Sequence, residues 1–491
     1  MYCGFITTLK NVRKHPNADK LMLAECYDNT VCVGLNSAEG EIGVYFPTDG
    51  QLSEEFCKQH DLVRRKDENG NPAGGYLDPE KRNIKAVKLR GEKSDGLFMP
   101  LSCLAYTGIN LDDLDIGTQI TIINGHEICQ KYIPKSNSRA RSGGGAGNRT
   151  RKHKDPVAPL FAEHADTEQL VYNLSAFKPG DEIEITLKMH GTSQRTGHLP
   201  VLKGYADSWA CRVGNAFRHI MRKMGCYHGE DVHDGKPIYD YGYISGTRRV
   251  VMEDFEGGFY GSNEFREQHA KKFEGKLMKG ETVYYEVVGF THTGTPIMAS
   301  CDNKKLNDKE FIKQYGKETV FSYGCSPTGT KEIPMSETGL PYGAVIDAPQ
   351  SDIYVYRMTM TNDDGFVVEY TPDFMRYRCE QMGIKCVPVF AHMKLYEDGG
   401  FFFHGDGSFS SVAESDLGEF VMAAAEEYYD GPDPVGKTHV REGVVVRIIN
   451  RPKFTAYKHK NFSFKVLEGI IKDTAAAPDM EEAQEVKDYI E

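Results

Sequence analysis

A stretch of the chain that cannot form a hydrophobic core divides the sequence into two parts. Residues 135–154 read KSNSRARSGGGAGNRTRKHK and contain seven lysines or arginines and no acidic residue. Such a segment buries too little apolar surface to fold by itself, so we expect a flexible linker. The predicted organisation is an N-terminal domain over 1–133, a basic linker over 134–158, a larger domain over 159–472 and an acidic tail over 473–491.

Length and composition restrict the class of protein. A chain of 491 residues with 40% hydrophobic residues is expected to form two or three packed domains, and its 50 glycines indicate many turns and much β-structure. No run of eighteen apolar residues is present, and the N-terminal MYCGFITTLKNVRKH lacks the apolar core of a secretory signal. We therefore expect a cytoplasmic protein, probable partners excluding membranes, and a monomer.

Charge and cysteine usage exclude further classes. The twelve cysteines include no CxxC pair, which argues against a zinc ribbon or a disulfide framework. A net charge of −12 argues against a protein that coats nucleic acid by bulk attraction, although the positive charge of the linker and the negative charge of the tail are unevenly placed.

The N-terminal part has short β-like runs separated by turn residues, which predict a small barrel. It contains HPNADKL (15–21) and RGEKSDGL (90–97). Together these runs resemble the tRNA-binding type of OB-fold. That resemblance implies a domain that binds RNA through its exposed face, or one that serves only for docking.

After the linker, one strand ends in an unusual way. Ile183, Ile185 and Leu187 alternate with polar residues, the pattern of a half-buried β-strand, and Lys188 falls on its polar face. The small and polar residues HGTS (190–193) follow. A solvated lysine before a loop is the ordinary explanation, so the function of Lys188 has to be judged from the rest of the chain.

A site in which an amine attacks the α-phosphate of ATP needs cations, carboxylates and an aromatic slot, and the chain has a candidate for each. Attack requires a neutral amine, and the neighbouring cations of Lys458 and Lys460 favour that form. Glu442 is a candidate ligand for Mg²⁺, and Glu286 could accept the ribose hydroxyls. Tyr354 or Tyr356 could stack on adenine. Taken singly, salt bridges, an exposed strand face and core tyrosines explain these residues equally well.

The order of the motifs favours the functional interpretation. K-x-H-G (188–191), S-G-x-R (245–248), Y-Y-E (284–286), Y-x-Y-R (354–357), E-G-V-V-x-R (442–447) and K-x-K-N (458–461) occur in this order. They resemble motifs I, Ia, III, IIIa, IV and V of the covalent nucleotidyltransferases, the superfamily of polynucleotide ligases and mRNA capping enzymes.

Within that superfamily the chain is most similar to ATP-dependent RNA ligases with an N-terminal OB-fold domain. His190 stands where most DNA ligases have Asp, and the motif continues through Thr192 and Ser193 to Arg195. DNA ligases and capping enzymes place an OB-fold after motif V, where this chain has only about twenty residues. The implied fold class is α+β: an OB-like β-barrel followed by an ATP-grasp-like nucleotidyltransferase domain of antiparallel sheets with flanking helices.

The resemblance implies a role for each matched residue. Lys188 would be the adenylated nucleophile, with Lys458 and Lys460 on the AMP phosphate. Glu442, with Glu286, would engage Mg²⁺ or Mn²⁺, and Glu286 would also bind the ribose. The remaining implied contacts, to the nucleotide, to the RNA 5′-phosphate or during the later steps, belong to Thr186, Leu187, His190, Ser193, Arg195, Arg248, Tyr354 and Tyr356.

Two features depart from the family pattern. Leu187 occupies the position where many RNA ligases have an acidic residue, so adenine selection is expected to differ. Insertions near 200–240 and 291–350 separate the motifs, and their Cys and His residues lack the spacing of a zinc site.

The sequence therefore predicts an RNA ligase that joins a 3′-OH to a 5′-phosphate through lysyl-AMP and RNA-adenylate, in RNA repair, with RNA ends or nicked duplexes as partners. The alternatives are a DNA or mixed RNA/DNA nick ligase and a non-catalytic RNA-end-binding protein.

Overall fold

The computed structural model describes residues 2–27, 29–70, 72–132, 156–165, 167–229, 231–248, 250–252, 255, 263–333, 344–396, 401–403, 409–411 and 417–473. Most of the predicted linker (134–158) and, after Asp473, the predicted acidic tail lie outside the described residues. The architecture is α+β with mainly antiparallel sheets, as expected from the sequence.

The N-terminal part consists of short antiparallel strands around two apolar clusters. One sheet has the order β11-β5-β1-β12 and a second has the order β2-β3-β4; two-stranded pairs complete it. The strands are β1 (Gly4–Thr8), β2 (Lys10–Lys14), β3 (Leu21–Cys26), β4 (Asn29–Gly34), β5 (Ile42–Phe46), β6 (Gly50–Leu52), β7 (Arg64–Lys66), β8 (Pro72–Gly74), β9 (Ala86–Leu89), β10 (Glu92–Asp95), β11 (Leu97–Pro100), β12 (Gln119–Ile120), β13 (Ile122–Ile123), β14 (His126–Glu127) and β15 (Cys129–Lys131).

Two larger sheets form the framework of the remainder. The first has the order β16-β32-β31-β17-β28 and is antiparallel except for the parallel pair β16–β32; the second has the order β20-β19-β18-β21-β26-β27 and is antiparallel throughout. Their strands are β16 (Glu168–Gln169), β17 (Glu182–Lys188), β18 (Thr192–Tyr205), β19 (Pro237–Gly246), β20 (Val251–Met252), β21 (Glu281–Gly289), β26 (Ser351–Thr361), β27 (Val367–Glu369), β28 (Val389–Lys394), β31 (Gly443–Ile448) and β32 (Thr455–Lys460).

Short hairpins lie outside these sheets: β22 (Cys301–Asp302), β23 (Glu318–Thr319), β24 (Thr330–Ile333), β25 (Ala344–Asp347), β29 (Phe401–Phe403) and β30 (Phe409–Ser411). The α-helices are α1 (Glu54–Gln59), α2 (Trp209–Lys223), α3 (Glu264–Lys271), α4 (Lys309–Tyr315), α5 (Pro372–Met382), α6 (Leu417–Tyr429) and α7 (Phe462–Asp473). None of these described helices combines the length and apolar character that crossing a bilayer requires.

Local sequence signals account for several helix ends. The side chain of Thr371 caps α5 by accepting from the Phe374 amide, Pro372 takes the first helical position, and Gly383 ends the helix with φ of 69°. The helix predicted to stop at Gly431 is α6, and Gly431 has φ of 107°. Ser415, its predicted start, lies outside the described residues.

The N-terminal strands pack directly on the elements that carry the candidate site. The rings of Phe5 and Tyr172 stack with centroids 4.4 Å apart. Asp95 forms a 2.5 Å ion pair with Lys465 on α7, and Lys88 forms a 2.6 Å ion pair with Asp308. The N-terminal part therefore contacts the helix that follows β32.

Candidate active site

Lys188 lies at the end of β17, where three neighbouring strands bring two lysines into register. It is paired opposite Gly443 on β31, and Gly443 is paired opposite Lys460 on β32. Ile183, Ile185 and Leu187 are buried on the opposite face of the strand, as their alternation predicts. Because adjacent strands are about 4.8 Å apart, the two lysine side chains leave from positions roughly 10 Å apart on one face.

The turn after Lys188 passes too close to β21 for any side chain at Gly191. A Cβ atom there would lie 2.3 Å from the Val287 carbonyl oxygen. The Gly191 N–H donates to Glu286 Oε1 over 3.1 Å. Glycine in the K-x-H-G motif therefore lets the two sheets meet, and it places Glu286 beside the turn that carries Lys188.

Glu442 is the centre of the charge cluster. Its Oε1 lies 2.7 Å from Lys188 Nζ and 3.5 Å from Lys460 Nζ, and its side chain is only 2% exposed. Burial raises the pKa of this carboxyl, but the charges of Lys188 and Lys460 outweigh burial and hold the pKa well below its usual range. Gly443, with φ of 148° and no room for a Cβ, leaves the gap between the lysines open.

Lys460 has a second carboxylate partner, and its neighbour fixes the following helix. Lys460 Nζ lies 2.8 Å from an oxygen of Glu468 on α7. The Asn461 N–H donates to the Glu442 carbonyl over 2.8 Å, and its side-chain oxygen accepts from the Phe464 amide over 3.2 Å. The asparagine of K-x-K-N thus caps α7 while binding the Glu442 backbone. Lys458 points to the same face of β32 as Lys460, opposite Val445.

His190 is held beside Glu442 by a residue from the insertion at 291–350. Its backbone N–H donates to the Tyr323 hydroxyl over 2.7 Å, and its Nδ1 lies 3.6 Å from Glu442 Oε2. The rings of Phe321 and Phe464 approach the imidazole edge-on at 4.6 and 4.8 Å. The insertion is therefore part of the candidate site.

Tyr323 was not among the residues predicted from the sequence. It is buried, and burial raises the pKa of its hydroxyl well above the usual value. Its φ of 47° is the left-handed conformation, which an aromatic residue adopts only at a cost of about 1–3 kcal/mol. No spacing in the sequence marks such a residue, because its contact with His190 spans 133 positions.

The second sheet contributes a polar pair and separates the two predicted tyrosines. The Ser193 and Tyr356 hydroxyls lie 2.9 Å apart, and Glu286 is among the charges that raise the pKa of buried Tyr356. The register between β21 and β26 slips at Tyr356. Tyr354 is 4% exposed and packs in the apolar core. The structure thus brings Tyr356, but not Tyr354, to Ser193.

Other predicted residues lie beside the cluster rather than in it. Arg195 is buried, donates to the Ala162 carbonyl and lies over the Phe161 ring at 4.3 Å. The Arg248 carbonyl accepts from the His164 amide over 3.2 Å. Leu187 packs in the core, and the Thr186 hydroxyl donates to the Val445 carbonyl over 3.4 Å. The predicted nucleotide or RNA contacts of these four residues stay predictions.

The carboxylates fit a divalent metal ion. Glu442 Oε2 is buried and has no hydrogen-bond partner in the described part of the chain. A buried carboxylate oxygen without a partner costs free energy that a hard, oxygen-seeking cation would offset. Glu442, with Glu286 beside the same turn, is therefore the donor set that could hold Mg²⁺ or Mn²⁺.

Comparison with known proteins follows from this geometry. No protein-family model and no curated protein matches the chain. Solved structures of a Naegleria gruberi RNA ligase are similar to 94% of it. A lysine-to-methionine mutant with AMP and Mn has a TM-score of 0.49 at 15% identity, over 97% of that chain. A lysine-to-alanine mutant with ATP and Mn gives 0.48 at 15% over 98%, and a structure with PPi gives 0.48 at 14% over 97%. This chain is similar to RNA ligases, the class that its motifs predict.

Proposed function

We propose that this protein is an ATP- and divalent-metal-dependent RNA ligase that joins a 3′-OH to a 5′-phosphate. The observation that carries the proposal is the convergence of motifs more than 250 residues apart: Lys188 Nζ lies 2.7 Å from buried Glu442, and Glu442 lies 3.5 Å from Lys460. A lysine between two sheets, beside a buried carboxylate and further cations, suits covalent transfer of a nucleotide.

The first step would form a bond between Lys188 Nζ and the α-phosphorus of ATP and break the bond to pyrophosphate. In the ion pair with Glu442, Lys188 is an ammonium, so its proton has to leave before attack. A metal ion held by Glu442 and Glu286 would neutralise phosphate charge. Lys458 and Lys460 lie on the face of the sheet from which they can hold the phosphate oxygens.

The later steps would move AMP to the RNA 5′-phosphate and then release it when the 3′-OH attacks. His190 and Ser193 lie on the turn and strand that follow Lys188, within the same cavity between the sheets. Their position supports a role in these steps. Participation in RNA repair follows from joining broken ends and is part of the same proposal.

Labelling with ATP tests the enzymatic step. Incubation with ATP carrying a label at the α-phosphate is expected to give an acid-stable labelled protein, and GTP is expected to give none. Absence of labelling would favour a non-catalytic RNA-end-binding protein. Sealing of DNA nicks alone would favour a DNA ligase.

The proposed RNA-holding parts are the OB-like N-terminal domain (1–133) and the basic linker. Replacing Arg149, Arg151 and Lys152 by glutamine should flatten the salt dependence of RNA binding without changing which RNA is preferred. Each lost phosphate contact on a single strand lowers the slope by about 0.7, so we expect a decrease of up to about 2. Binding measured at several salt concentrations gives this slope.

The matched control replaces three exposed lysines that lie near α4, Lys309, Lys313 and Lys317, by glutamine. It removes the same charge from a region not proposed to bind RNA. An equal decrease of the slope in both variants would assign the effect to overall charge and contradict the role of the linker.

Tyr323→Phe should slow the sealing of pre-adenylated RNA by about tenfold, with a smaller effect on adenylation. The substitution keeps the ring but removes the oxygen that accepts from the His190 amide, and an unsatisfied buried N–H costs about 1–3 kcal/mol. Single-turnover rates of both steps measure the difference. Tyr315→Phe, in the same insertion, is the control; equal losses in both steps would make Tyr323 a merely structural residue.

A further inference from the structure

Helix α2 (Trp209–Lys223) belongs to the insertion between β18 and β19, far from the candidate site. β18 begins at Thr192, next to the site, and runs for 14 residues to Tyr205. At about 3.3 Å per residue, its far end lies roughly 40 Å away. The function of this helix is therefore separate from the chemistry at Lys188.

The helix is attached to the protein by its polar face. Asn215 Nδ2 donates to the Val232 carbonyl over 2.7 Å, and the Val232 N–H donates to Asn215 Oδ1 over 3.1 Å. Cys211 Sγ donates to the same carbonyl over 2.9 Å, and Arg222 forms an ion pair with Asp231. These contacts fix which side of the helix faces outward.

The outward side is apolar. No residue of α2 is buried, and five large apolar side chains at near-helical spacing are 48–79% exposed: Trp209, Val213, Phe217, Ile220 and Met224. At 3.6 residues per turn they lie along one stripe. A surface helix normally turns its apolar face to the core. In α2 the arrangement is reversed, which marks the stripe as a surface that binds something.

Positive charge borders this stripe. Arg212, His219 and Lys223 are exposed along one edge of the apolar stripe, and the sequence of α2 contains no acidic residue. Two copies of the helix pairing through their stripes would bring these cations together. RNA is a poor match for a stripe that includes valine, isoleucine and methionine. A negatively charged surface with an apolar layer beneath it complements both features.

We propose that α2 binds the surface of a lipid bilayer that contains anionic headgroups. An amphipathic helix with Trp and Phe on one side and Arg and Lys on the other lies in the plane of the interface, its apolar face among the upper acyl chains. Such binding needs no spanning segment, so it is compatible with the helices found here. It departs from the expectation that membranes are not partners, which rested on the lack of a span.

The chain contains a built-in reporter for this test, because Trp209 is its only tryptophan. Addition of phosphatidylcholine vesicles with phosphatidylserine to the full-length protein should shift the Trp209 emission to shorter wavelength and sediment the protein with the vesicles. Pure phosphatidylcholine vesicles should bind it much more weakly, and added salt should weaken binding to the anionic ones.

Substitutions on the stripe and its edge should separate the two contributions. Phe217→Asp should abolish sedimentation with vesicles. Lys223→Gln should weaken it about fivefold, since one basic side chain near an anionic surface contributes about 1 kcal/mol. The matched controls are Phe366→Asp, at another highly exposed phenylalanine, and Lys313→Gln. Both controls should bind like the unchanged protein, and circular dichroism should show all four variants folded.

Three results would overturn the proposal. The first is no vesicle binding by the unchanged protein. The second is equal binding to neutral and anionic vesicles. The third is an emission shift that grows with protein concentration in the absence of vesicles, since this would show that a second copy of the chain covers the stripe.

Discussion

Lys188→Ala should lose all acid-stable labelling by ATP. The proposed covalent bond forms at Nζ, and no other group in the site is proposed as a nucleophile. The fold should survive, because Glu442 keeps Lys460 at 3.5 Å as a counter-charge when Lys188 is removed. Lys188→Arg should fail as well: it retains the ion pair, but a guanidinium stays protonated and is a poor nucleophile.

The arginine variant separates loss of chemistry from loss of folding. If both variants unfold cooperatively near the temperature of the unchanged protein and neither is labelled, the nucleophile is assigned. Lys203→Ala, at an exposed position on β18, should label normally. Labelling of Lys188→Ala at the unchanged level would contradict the assignment.

Glu442→Gln should lower the rate of adenylation by about a hundredfold or more, the typical effect of removing a group that stabilises developing charge. The amide keeps the shape of the side chain but loses the charge that pairs with Lys188 and Lys460 and that would hold a metal ion. The loss should be largest at low Mg²⁺ concentration. Single-turnover labelling across a range of Mg²⁺ concentrations measures both effects.

Glu182→Gln provides the control for this substitution. Glu182 lies on the same strand as Lys188, at its other end, and its side chain is partly exposed 3.8 Å from Lys394. It should adenylate normally. Near-normal rates for Glu442→Gln at limiting Mg²⁺ would make Glu442 a structural salt-bridge partner and would contradict the proposed metal site.

Local patterns in the sequence predicted the framework of the site well. Alternation from Ile183 to Leu187 placed Lys188 on the correct strand face, because the side-chain direction in a strand has a strict period of two. The spacing of Lys458 and Lys460 likewise predicted a shared face. These features depend on neighbours in sequence, so a single chain is enough to reveal them.

Features that depend on long-range packing were not predictable in this way. The slip in register at Tyr356 sends Tyr354 into the core, although the spacing suggested a shared face. Glu468 reaches Lys460 from α7, and Tyr323 reaches His190 from an insertion that no motif covers. The reversed orientation of α2 follows from its bonds to Val232, which sequence periodicity cannot show.

The central claim is tested most directly by following AMP from the protein to RNA and then to release. Protein labelled with AMP is separated from ATP and mixed with 5′-phosphorylated RNA and a 3′-OH strand, nicked and single-stranded, with DNA in place of RNA on either side of the joint. We expect the label to move to the RNA 5′-phosphate and to appear as free AMP as joined RNA forms. Label that stays on the protein, or joins only DNA, would contradict the proposal that the chain is an RNA ligase.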